Sequence, residues 1–200
     1  VSTNSPSGGT GTLSVGSSDA SGNFSGVLEG SAASNILALT KVGSGTQILS
    51  GNSTYSGATT VNAGTLQIGN GTGSGDLGAG NVTVAAGATL EYNRTGAVIQ
   101  EGALNSSGTV GASNLKLSGD GTTQLTLSSA GNFSGLITLQ AGTLVFGVTN
   151  AVGQGTSAPA FNLAPATTVT NTPDVTHTHL GALQLAGGSL LTTSSGTSNY

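Results

Sequence analysis

Apolar residues in this chain come in pairs at i and i+2, such as Leu66 with Ile68 and Val82 with Val84. Short runs of Gly, Asn, Ser and Thr separate the pairs. Alternation of this kind predicts half-buried strands, each ended by residues that tolerate a tight bend. The predicted strands lie near 11–15, 24–28, 36–40, 46–49, 58–61, 65–68, 82–84, 89–92, 97–99, 115–117, 123–127, 136–139, 143–146, 160–163, 168–170, 182–185 and 189–191. Helices are poorly supported. Glycine interrupts nearly every window, at about 1 kcal/mol per interior helical position. No long stretch carries a 3.6-residue apolar period.

The strand pattern repeats. Tyr55-Ser56-Gly57 followed by Ala63-Gly64-Thr65-Leu66 returns as Phe133-Ser134-Gly135 followed by Ala141-Gly142-Thr143-Leu144, both pieces shifted by 78 positions. Asn23-Phe24-Ser25-Gly26 is a more degenerate copy of the aromatic piece, and the segment from Lys41 to Thr46 parallels the segment from Lys116 to Thr122. Short strands with small, similar residues at equivalent positions suit a solenoid, in which each coil buries its face against the next. A sandwich would use longer strands and more aromatics than the 4% found here. The expected fold is therefore all-β, a right-handed single-stranded parallel β-helix. At three strands per coil it has about six coils, and at about 4.8 Å per coil it forms a rod about 30 Å long. A rod without polar caps exposes unpaired edges, so the expectation is a fragment of a longer one.

Composition narrows the function classes. Gly, Ser and Thr make up close to half of the 200 residues, yet 35% are hydrophobic and only 5% charged, which argues against disorder for most of the chain. Net charge is −4, with Lys41, Arg94 and Lys116 as the cations. Three scattered cations cannot neutralise a phosphate backbone, so nucleic acid is not an expected partner. An electrostatic membrane anchor is excluded on the same ground, and no apolar run is long enough for a spanning helix, so direct membrane insertion is not expected. The absence of cysteine excludes disulfides, thiolate metal sites and cysteine catalysis.

Residues 39–90 resemble the autotransporter-associated β-strand repeat, also called the passenger-associated transport repeat. The residues that carry the resemblance are Lys41, Gly43, Gly45, Thr46, Leu49, Ser50, Gly51, Thr54 to Gly57, Thr59 to Leu66, and Gly69. Departures are mild: Ser53 stands where the family has Asn, and Gln47 where it has an apolar residue. A second copy at 116–147 keeps only the skeleton. Gly43, Gly45, Gly51, Tyr55, Gly57, Val61, Gly64, Leu66, Gly69, Phe133, Gly135, Gly142 and Leu144 are accordingly read as structural repeat positions. The resemblance implies a passenger segment of a Gram-negative type V secreted protein, exported through the periplasm and displayed at the cell surface. It implies the protein's own C-terminal outer-membrane β-barrel as partner, and host or bacterial cell surfaces as further ones.

Candidate chemistry is thin. The carboxylates are Asp19, Glu29, Asp76, Glu91, Glu101, Asp120 and Asp174, and a glycosidase needs two of them about 5–10 Å apart. Asp76 and Asp120 sit in Gly-rich turns, an ordinary place for Asp. His177 and His179 would share one face of a strand, and with Asp174 they form a weak metal candidate without a clear third ligand or second shell. No Gly-x-Ser-x-Gly elbow serves a nucleophile. No catalytic residue and no cofactor are expected.

The chain divides into a frayed lead-in at 1–9, coils at 10–149, an irregular coil or extruded loop at 150–181, and a last coil with a frayed end at 182–200. The segment 150–181 breaks the repeat and holds Pro159, Pro165, Pro173 and both histidines. The expected function is a non-enzymatic structural and display stalk. The alternatives are an adhesin that uses one face or the loops, and, less favoured, a polysaccharide-degrading β-helix enzyme.

Overall fold

The computed structural model describes residues 2–3, 9–30, 35–109, 111–153, 158–171, 183–185 and 189–190. Every regular element among them is a strand, and every pairing is parallel. Three sides of a solenoid result, as the sequence pattern predicts. The central sheet stacks β3 (Gly22–Phe24), β6 (Thr46–Leu49), β8 (Thr65–Ile68), β10 (Thr89–Tyr92), β13 (Asn114–Leu117), β15 (Leu136–Leu139), β17 (Ala160–Leu163) and β19 (Leu183–Leu185). The amino-side sheet stacks β2 (Gly9–Val15), β5 (Asn35–Lys41), β7 (Thr59–Val61), β9 (Val82–Ala85) and β12 (Leu104–Ser107). The carboxy-side sheet stacks β11 (Ala97–Gln100), β14 (Gln124–Leu127), β16 (Thr143–Phe146), β18 (Thr168–Asn171) and β20 (Ser189–Leu190). A short pair joins β1 (Ser2–Thr3) to β4 (Glu29–Gly30). From β3 to β17 the chain makes six turns, and a seventh leads to β19.

Inward side chains form ladders through the core. Leu66, Leu90, Leu115, Ile137 and Phe161 stack in one, and Leu49, Ile68, Tyr92, Leu117, Leu139 and Leu163 in the next. Val98, Leu125, Leu144 and Val169 line the carboxy-side sheet. Each residue of these ladders is buried, and each fully buried aliphatic contributes roughly 1.5–3 kcal/mol. Phe146 meets Phe161 edge to face, with ring centroids 6.4 Å apart.

Among the described residues, four-residue strands follow one another on all three sides from β9 to β14, and the pivot coil, β10–β11–β12, lies within that run. Below that run, between β4 and β11, the third side holds no regular strand among the described residues and is represented by the Asn52–Asp76 bridge. Above it the amino side becomes irregular, where Gly131 N–H donates to Asn150 and Gly153 N–H to Phe133. The two copies of the repeat straddle this changeover. The strands of the first copy, β6, β7 and β8, lie on the central, amino and central sides, whereas their counterparts β14, β15 and β16, 78 positions later, lie on the carboxy, central and carboxy sides. The same sequence unit is thus set one side further around the rod.

Coil length varies without breaking register: Thr65 sits opposite Thr46, 19 residues on, and Gln47 opposite Gly22, 25 residues on. What keeps the coils in step at the amino-side sheet is a column of glycines. A Cβ on Gly57 would meet the Leu37 carbonyl oxygen well inside 3.0 Å, a Cβ on Gly80 the Gly57 oxygen, and a Cβ on Gly102 the Gly80 oxygen. Two differences from the sequence pattern have simple causes. The strand expected at 24–28 is Gly22–Phe24, because the Phe24 ring folds over Gly26. The strand at Leu104–Ser107 has a single aliphatic residue, and its place comes from pairing with β9.

The column yields a direct expectation. Gly80→Ala forces two coils apart or shifts the backbone and lowers stability by about 2 kcal/mol. Gly121→Ala, where a Cβ meets nothing within 4 Å, changes it by less than about 0.5 kcal/mol. Chemical denaturation of the two variants checks this, and equal losses would refute the column.

Candidate functional site

The corner from the amino-side to the central sheet is built around Lys41. By strand alternation Lys41 points inward, and its ladder neighbours are Val15 and Val61. It is fully buried. Its Nζ donates to three carbonyls, those of Val42 at 2.6 Å, Gly43 at 2.7 Å and Ala63 at 3.1 Å. These use all three ammonium donors and tie consecutive coils at one corner. Burial pushes its pKa down, and the Asp19 carboxylate opposes that. Gly64 closes the same corner one coil on, at φ +62° with the Gly45 carbonyl where a Cβ would sit. Asp19 accepts from the Ser44 N–H at 2.7 Å. That bond, helped by the Ser44 hydroxyl and the Lys41 charge, holds its carboxyl below the usual range.

Lys116 does not repeat this role, contrary to the sequence parallel. It lies on the outward face of β13 and pairs with Glu91 at 3.0 Å. By the 78-residue shift, the counterpart of Lys41 is Gly119. The physical reason is the one-side rotation: Leu117, not Lys116, is the inward residue there.

Arg94 holds the next side. It is buried just after β10 and donates to the carbonyls of Gly75 at 2.7 Å and Gly73 at 3.0 Å, and to the Asp76 carboxylate. Two of the carboxylates thus form ion pairs with cations, Asp76 with Arg94 and Glu91 with Lys116. Asp120 sits in its own turn, where the Thr122 hydroxyl and N–H hold its pKa down. Glu29 lies in β4 and Glu101 just beyond β11. Asp174, His177 and His179 lie outside the described residues, and no group of three metal-ligating side chains occurs among those that are described.

The aromatic motif position is a core anchor in both copies. Tyr55 and Phe133 are buried on the irregular sides, and their carbonyls accept from Ala79 and Gly153 N–H. Tyr55 hydroxyl meets Thr59 Oγ1 at 2.6 Å. Burial pushes its pKa up to about 12, against the Thr59 bond. Seventy-eight positions on, Phe133 faces the same problem without a hydroxyl, and the counterpart of Thr59 is Ile137. The polar pair has become an apolar pair. Tyr92 and Gln100 make a second buried bond at 2.6 Å. Gln100 is a residue the sequence did not flag, and Thr59 and Arg94 stood out there only as a repeat position and a cation, without these roles. The one signal was joint: the Tyr55–Thr59 spacing recurs as Phe133–Ile137.

Of the repeat positions, Val61, Leu66 and Leu144 are ladder residues, and Gly43, Gly45, Gly51, Gly57, Gly64, Gly69, Gly135 and Gly142 sit where a Cβ would press on backbone of a neighbouring coil. A groove of about 490 Å³ opens on the third side between the Asp76–Ala79 rung and β11, lined also by Ser53, Thr54 and Glu101.

A stack of parallel coils with carbonyl-clamped corners defines a β-solenoid. The passenger-associated-transport-repeat family model matches residues 39–68 and 118–146, so two segments of the chain are similar to this repeat. Comparisons with curated proteins and with solved structures returned no match.

Two expectations follow from the site. Tyr55→Phe leaves the Thr59 hydroxyl unpaired and costs about 1 kcal/mol, whereas Tyr55→Phe with Thr59→Val recovers most of it. A double-mutant cycle on unfolding measures the coupling, and simple additivity would refute it. For Asp19, the folded pKa lies below its ordinary 3.8. Its stabilisation is therefore present above that pH and is lost as pH falls through the lowered value. Asp19→Asn should lower the melting temperature at pH 7 and flatten its fall as the pH drops below 3.8.

Proposed function

We propose that this chain is a non-enzymatic structural segment of an autotransporter passenger, a rigid rod displayed at the surface of a Gram-negative bacterium. The observation that carries the reading is the placement of both repeat copies, whose motif residues go into corners, ladders and coil contacts. The buried cations clamp carbonyls, and two carboxylates are held in ion pairs. In this reading the C-terminal outer-membrane β-barrel of the same protein is the export partner, and vectorial stacking of coils outside the cell draws the passenger outward.

The test is surface display. The chain is placed between an export signal and a type V β-barrel, and display is read with antibody against an epitope at its amino end. Val61→Asp or Leu144→Asp, each burying a charge in a ladder, should reduce display severalfold. Undiminished display would refute the link between coil stacking and export. Polysaccharide turnover abolished by Asp76→Asn or Glu101→Gln would establish the enzyme reading instead. The adhesin reading finds its support in the groove on the third side.

A further inference from the structure

The carboxy-side sheet begins abruptly at β11. Gln124 N–H donates to the Gly96 carbonyl and Ser128 N–H to the Gln100 carbonyl. In a parallel ladder alternate residues serve opposite edges, so Gly96, Val98 and Gln100 face β14. Ala97 and Ile99 therefore turn their N–H and C=O groups to the other edge, where neither has a strand partner among the described residues. The rung below does not supply one. Asp76 and Ala79 N–H groups donate downward, to Gly51 and Tyr55. The groove of about 490 Å³ lies between these two backbones. The same two coils are ladder-bonded on the other sides, through β8–β10 and β9–β12, so the groove is a fixed feature of the rod.

We propose that this groove binds an extended cationic peptide segment of a partner protein, which pairs its backbone with the free edge of β11. An unpaired edge is a template for strand addition. The side chains around it specify the strand. Val98 and Leu77 form an apolar floor, and Ile99, 60% exposed, flanks the mouth. Glu101 lies at the rim and has no ion pair among the described residues. A strand alternating apolar and cationic residues fits: the apolar set faces the floor and a lysine or arginine meets Glu101. Glycan binding is the competing outcome, and the groove contains no aromatic platform among its lining residues.

The experiment uses the whole chain and a fluorescein-labelled peptide of alternating valine and lysine, read by anisotropy. A proline-interrupted peptide of the same charge is the control for attraction to a chain of net charge −4. The alternating peptide should bind and the control should not. Ile99→Pro removes the groove-facing N–H and leaves the β11–β14 ladder intact, as proline is tolerated on a free edge. It should weaken binding on the order of tenfold with an unchanged melting temperature. Glu101→Gln should weaken it by roughly two- to fivefold and reduce its salt dependence. Equal binding of both peptides, indifference to Ile99→Pro in a folded variant, or capture of a neutral oligosaccharide in place of the peptide would each overturn the proposal.

Discussion

The structure rests on the contact between the backbone of one coil and the backbone of the next. Parallel strands stack about 4.8 Å apart, and at the corners that spacing brings a carbonyl oxygen to where the following coil would carry a Cβ. Leu37, Gly57, Gly80 and Gly102 form such a column. A side chain there would separate two coils and, through them, the ladders of Leu and Ile that supply the apolar burial. The glycine content that could suggest a flexible chain is in large part this requirement for close approach.

Stacking also decides where polar and charged groups can go. Corners leave carbonyls that the ladders do not use, and a buried polar group must be paired. Lys41 and Arg94 answer this in the same way, each gathering two or three carbonyls from adjacent turns. The aromatic position shows the complementary solution. In the first copy a tyrosine hydroxyl is buried with a threonine, and in the second both partners are apolar.

Much of the fold was legible in the chain because a strand face has period 2 and the strand ends are marked by glycine. The strands 46–49, 65–68, 89–92, 136–139, 143–146 and 160–163 have the bounds that alternation predicts. Leu104–Ser107 was not legible, since one leucine makes no alternation and the partner strand supplies the order. Nor were the clamps. Lys41 and Lys116 look alike in sequence, and only the inward phase of β5 against the outward phase of Lys116 in β13 separates them. The groove was invisible for the same reason: it arises where a sheet begins, between the Asp76–Ala79 rung and β11, which lie a full coil apart in the chain.

The rotation of the second copy by one side has a consequence for how such a rod can change over generations. If a repeat worked only in one rotational setting, duplication or loss of a segment would have to preserve the phase of every coil beyond it. Here the same unit serves the amino and central sides once and the central and carboxy sides the next time, and the pivot coil absorbs the offset. Unequal exchange between copies can then lengthen or shorten the rod by segments that are not whole numbers of turns. Phase becomes a free variable, and the only quantity that exchange must conserve is the fit of one coil on its neighbour.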